Sequence, residues 1–106
     1  MELLEFTMTG TKHSAAYNLH KGDIGAGDDL ELEWDQGNQY DTDAIKVLWQ
    51  GEHIGWVPKR LGEAKCMLRK LMGEFEIQVT VVSHEPENPT DMQLVAAVEL
   101  IDWVDA

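Results

Sequence analysis

Apolar and polar residues alternate with a period of two over much of the chain, which is the pattern of β-strands with one buried face. The alternating apolar positions are Leu4, Phe6 and Met8; Leu30, Leu32 and Trp34; and Phe75, Ile77, Val79 and Val81. After the turn-rich stretch SHEPENPTD, a last strand is expected from about Gln93 to Trp103.

Two more apolar runs predict a β-hairpin. The runs extend from Ala44 to Trp49 and from His53 to Val57, and the turn-like Gln50-Gly51-Glu52 separates them. A short connection that contains glycine between two strand-like runs is typical of a hairpin.

Beyond Pro58 the spacing of apolar residues changes to three and four, which predicts an amphipathic helix. We expect this helix from about Leu61 to Met72, with Pro58 just before it and Gly73 just after it as boundary residues. Its apolar positions are Leu61, Ala64, Leu68 and Leu71.

The segment from Thr9 to Asp29 has four glycines, two histidines and few large apolar residues. It is expected to be a long surface loop, or a loop with one short helical turn, and long loops in compact domains are often functional. Several strands interrupted by one helix indicate a mainly β fold, either a small barrel or a strongly bent sheet closed by that helix.

Length and composition restrict the class of protein. A chain of 106 residues has room for one domain. No apolar run approaches the roughly 20 residues that span a bilayer, and the N-terminal MELLEF lacks the basic start of a secretory signal, so a cytoplasmic protein is expected. The single cysteine, Cys66, cannot form an internal disulfide and is expected to have a packing role.

The net charge of −12 is unusual for a nucleic-acid-binding protein, which commonly presents a basic face. The charges are unevenly distributed, however, because five of the eight basic residues lie between positions 59 and 70, where Glu63 is the only acid. These five residues are Lys59, Arg60, Lys65, Arg69 and Lys70. If their side chains share a surface, the acidic protein carries one local basic patch on the charged face of the helix.

Motifs of catalysis and metal binding are not matched. Neither Ser14 nor Ser83 lies in a G-x-S-x-G elbow. A calcium loop starting at Asp35 would need glycine and glutamate where Tyr40 and Lys46 stand, and the histidines lack zinc-ligand spacing. The glycines of GDIGAGDD are not followed by the lysine of a phosphate-binding loop. We therefore expect a non-enzymatic domain without metal or cofactor.

The stretch NQYDTDAIKV leads from a polar turn into a strand. Asn38 and Asp41 have short side chains that can bond to nearby backbone, as residues in tight turns do. Tyr40 has two interpretations, since its ring can be a half-buried aromatic of the turn or can present a face on which a nucleic-acid base stacks.

The order DDLELEW, NQYDTDAIKV, HIGWVPKR and LGEAKCMLRKLM resembles the HIRAN domain family. These small domains occur at the N-terminus of some SWI/SNF-type DNA helicases and also alone in bacteria and phages. The resemblance extends from about Phe6 to Leu100, so residues 1–106 are expected to form a single HIRAN-like domain. It implies an OB-like or SH3-like β-barrel, here with six strands, closed by the helix.

The resemblance also implies a function. In the eukaryotic helicase members of the family, a pocket captures the 3′ end of single-stranded DNA. Carried over to this sequence, contact with the terminal base falls on Tyr40, acceptance of a hydrogen bond from the 3′-hydroxyl on Asp41, and contact with phosphate on Lys59. Asn38 would support the turn.

Departures from the family pattern affect the other contacts. Trp56 stands where the family has a tyrosine and is included in the expected site as an aromatic exchange, while Gln39 replaces a proline. Arg60 or Lys65 would help Lys59 to neutralise the DNA backbone. The basic and aromatic residues of the family's first loop would be replaced here by Lys12, His13 or Tyr17.

The sequence thus favours a non-enzymatic module that binds single-stranded DNA 3′ ends in DNA repair or replication. The alternative is a protein-interaction module, whose acidic surface binds a basic partner or mimics nucleic acid. In that case the anchoring side chains would come from Trp34, Trp49, Trp56 or Trp103.

Overall fold

The computed structural model describes residues 1–101, and within them the chain forms six β-strands and two α-helices. The strands are β1 (Glu2–Thr7), β2 (Asp29–Trp34), β3 (Ile45–Trp49), β4 (Glu52–Trp56), β5 (Ile77–His84) and β6 (Leu94–Leu100). The helices are α1 (Ala15–His20) and α2 (Glu63–Glu74), each preceded by a short 3₁₀ turn, Thr11–His13 and Lys59–Leu61. The predicted mainly β fold is confirmed.

All neighbouring strands are antiparallel, in the order β1-β6-β5-β2-β3-β4. The sheet bends at β2, whose first residues pair with β5 and whose later residues pair with β3. Asp29 and Leu30 lie opposite Thr80 and Val79, whereas residues 31–34 lie opposite residues 45–48. Because β2 changes its partner along its length, the half of the sheet formed by β1, β6 and β5 is angled against the half formed by β3 and β4.

The predicted closed barrel is not confirmed. Strands β1 and β4 form the two edges, and the described residues show no ladder of pairs between them. One isolated bridge joins the edges, where Thr9 and Trp56 exchange backbone hydrogen bonds of 3.0 and 2.8 Å. The bridge extends no further because the chain turns at Gly10, whose φ of 80° lies in the left-handed region.

The core is continuous and receives side chains from every strand. The buried residues alternate along β3, where Ile45, Val47 and Trp49 point inward, and along β6. Two-residue alternation with one buried face is what the sequence predicted for these segments. The β3–β4 hairpin is also confirmed, and its two turn residues, Gln50 and Gly51, both have positive φ, as a tight hairpin turn requires.

Residues 9–29 follow the second of the two expectations, a loop with a short helical segment, but the segment does not lie wholly at the surface. Ser14 caps α1, since its hydroxyl accepts a hydrogen bond of 3.0 Å from the backbone N–H of Tyr17. Tyr17 is then buried in the core, only 1% exposed, and its hydroxyl lies 2.9 Å from Nε2 of His84. A single large aromatic therefore anchors a segment that has few other apolar residues.

The helix α2 begins and ends later than the sequence indicated. It starts after Gly62 and continues through Gly73, because the backbone N–H of Phe75 still bonds to the carbonyl of Leu71. Phe75, predicted to lie on the next strand, follows the helix and is 44% exposed, and β5 begins at Ile77.

The buried face of α2 also differs from the predicted one. Ala64 is exposed, while Lys65 and Leu68 are buried, with Met72 packed against the core. The buried residues of the helix therefore follow spacings of three and four that start at Lys65. They include this charged residue, which the sequence pattern placed on the solvent-exposed face. The end of the predicted last strand, at Trp103, lies outside the described residues.

Candidate functional site

The 35–44 loop is held by its own hydrogen bonds. The side-chain oxygen of Asn38 accepts from the backbone N–H groups of Tyr40 at 2.8 Å and Asp41 at 2.9 Å. The backbone adds bonds from Asn38 to Asp35 and from Ala44 to Asp41, both 3.1 Å long. Asn38 therefore makes the turn that the sequence indicated, and this turn fixes where the next side chains project.

A cavity of about 230 Å³, which we call the Tyr40 cavity, lies where this loop meets the end of β4 and the turn that follows it. The structure brings five of the seven predicted site residues to its lining, and these are Asn38, Tyr40, Asp41, Trp56 and Lys59. The loop precedes the β3–β4 hairpin and the other lining residues follow it, so the pairing of β3 with β4 brings the two ends of the hairpin together, and Thr9 joins them from the chain after β1.

Tyr40 and Lys59 are the accessible members of the Tyr40 cavity. The Tyr40 side chain is 85% exposed, so it is not the half-buried turn aromatic that was one of its two interpretations. Lys59 is exposed on the 3₁₀ turn that follows Pro58. An open aromatic ring and an open ammonium group therefore border the same space.

Trp56 forms a fixed wall of the cavity. Its backbone is bonded to Thr9, and its ring packs edge-on against His53 with the ring centroids 4.7 Å apart. The ring also lies close to Gly10, where a Cβ atom would stand 2.6 Å from Trp56 Cδ1. The indole is therefore held from two sides, and glycine is needed at position 10 for this approach as well as for its positive φ.

Asp41 is the carboxylate of the cavity and is already engaged by the protein. Its Oδ2 accepts from Lys65 Nζ, and its Oδ1 accepts from the backbone N–H of Asp43 at 3.0 Å. The hydrogen bond from Lys65 lowers the pKa of Asp41, with smaller contributions from the Asp43 N–H and the charge of Lys59, against an opposing effect of burial. Asp41 is therefore ionised at neutral pH, and its side chain is 18% exposed.

A second ion pair joins the same loop to the same helix. Arg69 donates to Asp43 Oδ1 at 2.5 Å, and its guanidinium lies 4.6 Å from the ring centroid of Trp34. The Trp34 ring in turn donates to the carbonyl of Thr42 at 2.8 Å. The predicted basic patch is therefore wrong at Lys65 and Arg69, because both cations turn toward loop carboxylates.

The remaining predicted phosphate contacts are not brought to the Tyr40 cavity. Lys65 is only 4% exposed, and Arg60 is exposed but does not line the cavity. Of the residues considered for the first loop, Tyr17 is buried, Lys12 is exposed but does not line the Tyr40 cavity, and His13 lines a separate cavity that Trp56 also borders.

The tryptophans of the alternative, protein-binding interpretation differ in accessibility. Trp49 is 7% exposed and donates to Asp28 at 3.2 Å, while Trp34 is 36% exposed beneath Arg69. Trp103 lies outside the described residues. Binding of a protein partner stays a prediction.

The two ion pairs were missed from the sequence, although a signal exists. Asp41 and Asp43 are two residues apart on an irregular loop, and Lys65 and Arg69 are four apart on a helix. Residues four apart on a helix have Cβ atoms about 5–6 Å from each other, which is close to the spacing of alternate residues on an extended chain. Two such pairs can match when the loop runs along the helix.

Within residues 1–101, no group of three or more His, Cys, Asp or Glu side chains is arranged to hold a metal ion. The same part of the chain contains no helix with the length and apolar character needed to cross a bilayer.

Comparison with known proteins identifies the family. The HIRAN domain family model matches residues 1–99. No curated protein sequence matches the chain.

Solved structures share the fold. The crystal structure of the HIRAN domain of human HLTF aligns with 93% of this chain and 76% of its own, with 19% identity and a TM-score of 0.71. A crystallised protein from Lactobacillus plantarum aligns with 94% of this chain and 93% of its own, with 17% identity and a TM-score of 0.73. The match of the family model over nearly the whole sequence, with this likeness of fold, shows that the chain belongs to the HIRAN domain family.

Proposed function

We propose that this domain binds single-stranded DNA and holds its 3′ end in the Tyr40 cavity. The observation that carries the proposal is the convergence of an exposed aromatic ring, an ionised carboxylate and an exposed ammonium group on one cavity of about 230 Å³. Membership of the HIRAN family supports it, since the resemblance to that family implies this activity in other members.

The carboxylate of Asp41 gives the cavity its preference for an unphosphorylated end. Each carboxylate oxygen accepts more than one hydrogen bond, so Asp41 retains acceptor capacity beyond its bonds to Lys65 and the Asp43 N–H. A free 3′-hydroxyl can donate to it. A 3′-phosphate would place a second negative charge against the first and would be repelled.

Tyr40 and Lys59 supply the other two contacts. The exposed ring of Tyr40 offers a face for the terminal base, and stacking contributes about 1–3 kcal/mol per base with little sequence preference. Lys59 lines the same cavity, and in this proposal its ammonium group pairs with the phosphodiester that precedes the terminal nucleotide. The expected ligand is thus the 3′ end of a single DNA strand, whatever its base sequence.

The charge of the protein limits the strength of this binding. With a net charge of −12 and one described lysine lining the cavity, long-range repulsion opposes association and few counterions are released. We therefore expect a modest affinity with a shallow salt dependence.

The test is a fluorescence-anisotropy titration with short labelled single strands that end in either a free 3′-hydroxyl or a 3′-phosphate. Asp41→Asn should abolish the preference for the hydroxyl. Asp43→Asn is the matched control, because it removes a neighbouring ion-paired carboxylate that does not line the Tyr40 cavity. Equal binding of the two ends by the wild type, or no binding at low salt, would refute the proposal.

A second pair of variants tests the phosphate contact. Lys59→Ala should weaken binding of all sequences and lower the salt slope by about one unit. Arg60→Ala is the control, since Arg60 is the next residue, is equally charged and exposed, and lies outside the cavity lining. Equal losses in both variants would indicate a general charge effect instead of a contact in the cavity.

A further inference from the structure

Lys65 is a buried ammonium group whose partner belongs to the proposed binding site. It projects from the first turn of α2, is 4% exposed, and donates to Asp41 Oδ2. Burying an ammonium group is costly unless it is paired and hydrogen-bonded, so the position of this lysine depends on Asp41. The dependence is mutual, because the same bond holds one carboxylate oxygen.

The carboxylate of Asp41 stands between two spaces. One is the Tyr40 cavity, and the other is a neighbouring cavity of about 470 Å³ that we call the Lys65 cavity, which Asp41 lines together with Tyr40, Lys59 and Lys65. Lys65 holds Oδ2 and the Asp43 N–H holds Oδ1, so both oxygens are fixed in direction. The lone pairs of Asp41 that are not used in these two bonds therefore have a defined direction in which they can accept a hydrogen bond from a ligand.

We propose that Lys65 is the positioning residue of the Tyr40 cavity, which orients the Asp41 carboxylate, so that discrimination between a free terminal hydroxyl and a terminal phosphate depends on this buried ammonium group. This inference rests on the proposed function. It replaces the sequence-based expectation that Lys65 contacts the DNA backbone, since a side chain that is 4% exposed and bonded to a carboxylate is not available to phosphate.

The ionisation of Asp41 is set by groups on three elements. Lys65 has the largest effect and lowers the pKa of Asp41, and Lys59 acts in the same direction from the 3₁₀ turn. Since a protonated carboxyl group does not repel phosphate, loss of the Lys65 charge should let the preference for the hydroxyl fade as the pH falls. The titratable and charged groups that line the Lys65 cavity together with Asp41, from its own loop, the 3₁₀ turn and α2, are Tyr40, Asp43, Lys59, Glu63, Lys65 and Cys66.

The ion pair between Arg69 and Asp43 provides a comparison that distinguishes two roles of Lys65, which are positioning the Asp41 carboxylate and merely attaching the loop to the helix. Arg69 joins the same helix to the same loop through Asp43, which does not line the Tyr40 cavity. If the pairs only attach the loop, removal of either cation should have similar effects on binding. If Lys65 positions Asp41, only its removal should change the choice between the two ends.

The experiment compares Lys65→Met, Lys65→Arg and Arg69→Met. Methionine keeps an unbranched chain in the buried site without the charge, and arginine keeps the charge. Anisotropy titrations with the 3′-hydroxyl and 3′-phosphate strands give the ratio of affinities at several values between about pH 7 and about pH 4. Carbon-detected NMR of the Asp41 carboxyl group follows its ionisation in the DNA-free protein.

We expect Lys65→Met to reduce the preference for the hydroxyl by about tenfold, because a hydrogen bond to a charged group that loses its alignment loses about that factor. The pKa of Asp41 should rise toward the ordinary value of an aspartic acid. The remaining preference should fall with pH more steeply than in the wild type, for which the loss of the second phosphate charge near about pH 6 is the same. Lys65→Arg should retain most of the preference, and Arg69→Met should leave both readouts unchanged. Folding of each variant is checked by thermal unfolding.

The outcomes distinguish this inference from the proposed function. A wild type without preference for the hydroxyl refutes the proposed function and this inference with it. If the wild type prefers the hydroxyl and Lys65→Met retains that preference, the inference alone is overturned. The same holds if Lys65→Met leaves the pKa of Asp41 unchanged. If Lys65→Met does not fold, Lys65→Arg decides, since retained charge with a lost preference would contradict the proposed role.

Discussion

Replacing Gly55 by alanine should destabilise the domain although it adds a single methyl group. Gly55 lies in β4 opposite Val47, and its missing side chain would point at Met8 and Thr9, which follow β1. A Cβ atom at this position would stand 2.6 Å from both Cγ and Sδ of Met8, and 2.8 Å from the carbonyl oxygen of Thr9. The Met8 side chain is fully buried, so it has little room to move away. The carbonyl of Thr9 is fixed by its 2.8 Å bond to Trp56 N–H.

The size of the effect follows from two opposing terms. Overpacking a well-filled core costs about 1–3 kcal/mol. The loss of glycine's freedom in the unfolded chain returns about 0.4–1 kcal/mol. The net expectation is a loss of about 1–2 kcal/mol in the free energy of unfolding, which corresponds to a decrease in Tm of about 5–15 °C for a domain of this size.

The assay is urea denaturation together with thermal unfolding, and Gly73→Ala is the control. Gly73 lies in α2, and no neighbouring atom comes within 4 Å of the place that an added methyl group would take, so the same substitution should stabilise the protein there. The expected gain is about 0.4–1 kcal/mol. A Gly55→Ala protein within about 0.5 kcal/mol of the wild type would refute the steric explanation.

Three further predictions concern single side chains. Tyr17→Phe should cost about 1 kcal/mol in urea denaturation, because it removes the hydroxyl that bonds to His84; no loss would show that water replaces it. Burial lowers the pKa of His53 in the folded protein below its usual 6.5. The free energy of unfolding should therefore be highest above pH 6.5 and should decrease as the pH falls from 6.5 toward the lower pKa of the folded state. His53→Gln should flatten this part of the stability curve, and an equal pH dependence would contradict the assignment. Asn38→Ala should cost about 1 kcal/mol and weaken the preference for a 3′-hydroxyl, since two backbone N–H groups of the loop lose their acceptor; unchanged anisotropy ratios would show that the turn forms without it.

The elements of this fold were largely readable from local pattern. Two-residue alternation located the strands because a half-buried sheet imposes that period on its own residues. Gly51 indicated the hairpin turn, since glycine readily adopts the positive φ that such a turn requires, whereas the positive φ of Gln50 had no local signal. The boundaries of α2 were less accurate, because its continuation through Gly73 depends on a bond to Phe75 that no local signal marks.

The burial of particular residues was decided by packing. Tyr17 fills the core from a segment whose composition is that of a loop, and its position depends on His84, which is 67 residues away in the sequence. The approach of the two sheet edges is similar, because the isolated bridge between Thr9 and Trp56, which joins them within residues 1–101, depends on how close two distant strands come. Neither distance is encoded in a short stretch of sequence.

The sequence by itself determined the family and the presence of an aromatic, a carboxylate and a lysine at the expected positions, because these depend on residue identity and order. Only the tertiary structure decided what each charge does. Asp41 and Lys65 are 24 residues apart, and a local pattern assigns both to solvent. When α2 packs beside the 35–44 loop, desolvation makes an unpaired charge costly there, so the two side chains pair and leave Lys59 as the accessible cation of the Tyr40 cavity among the described residues.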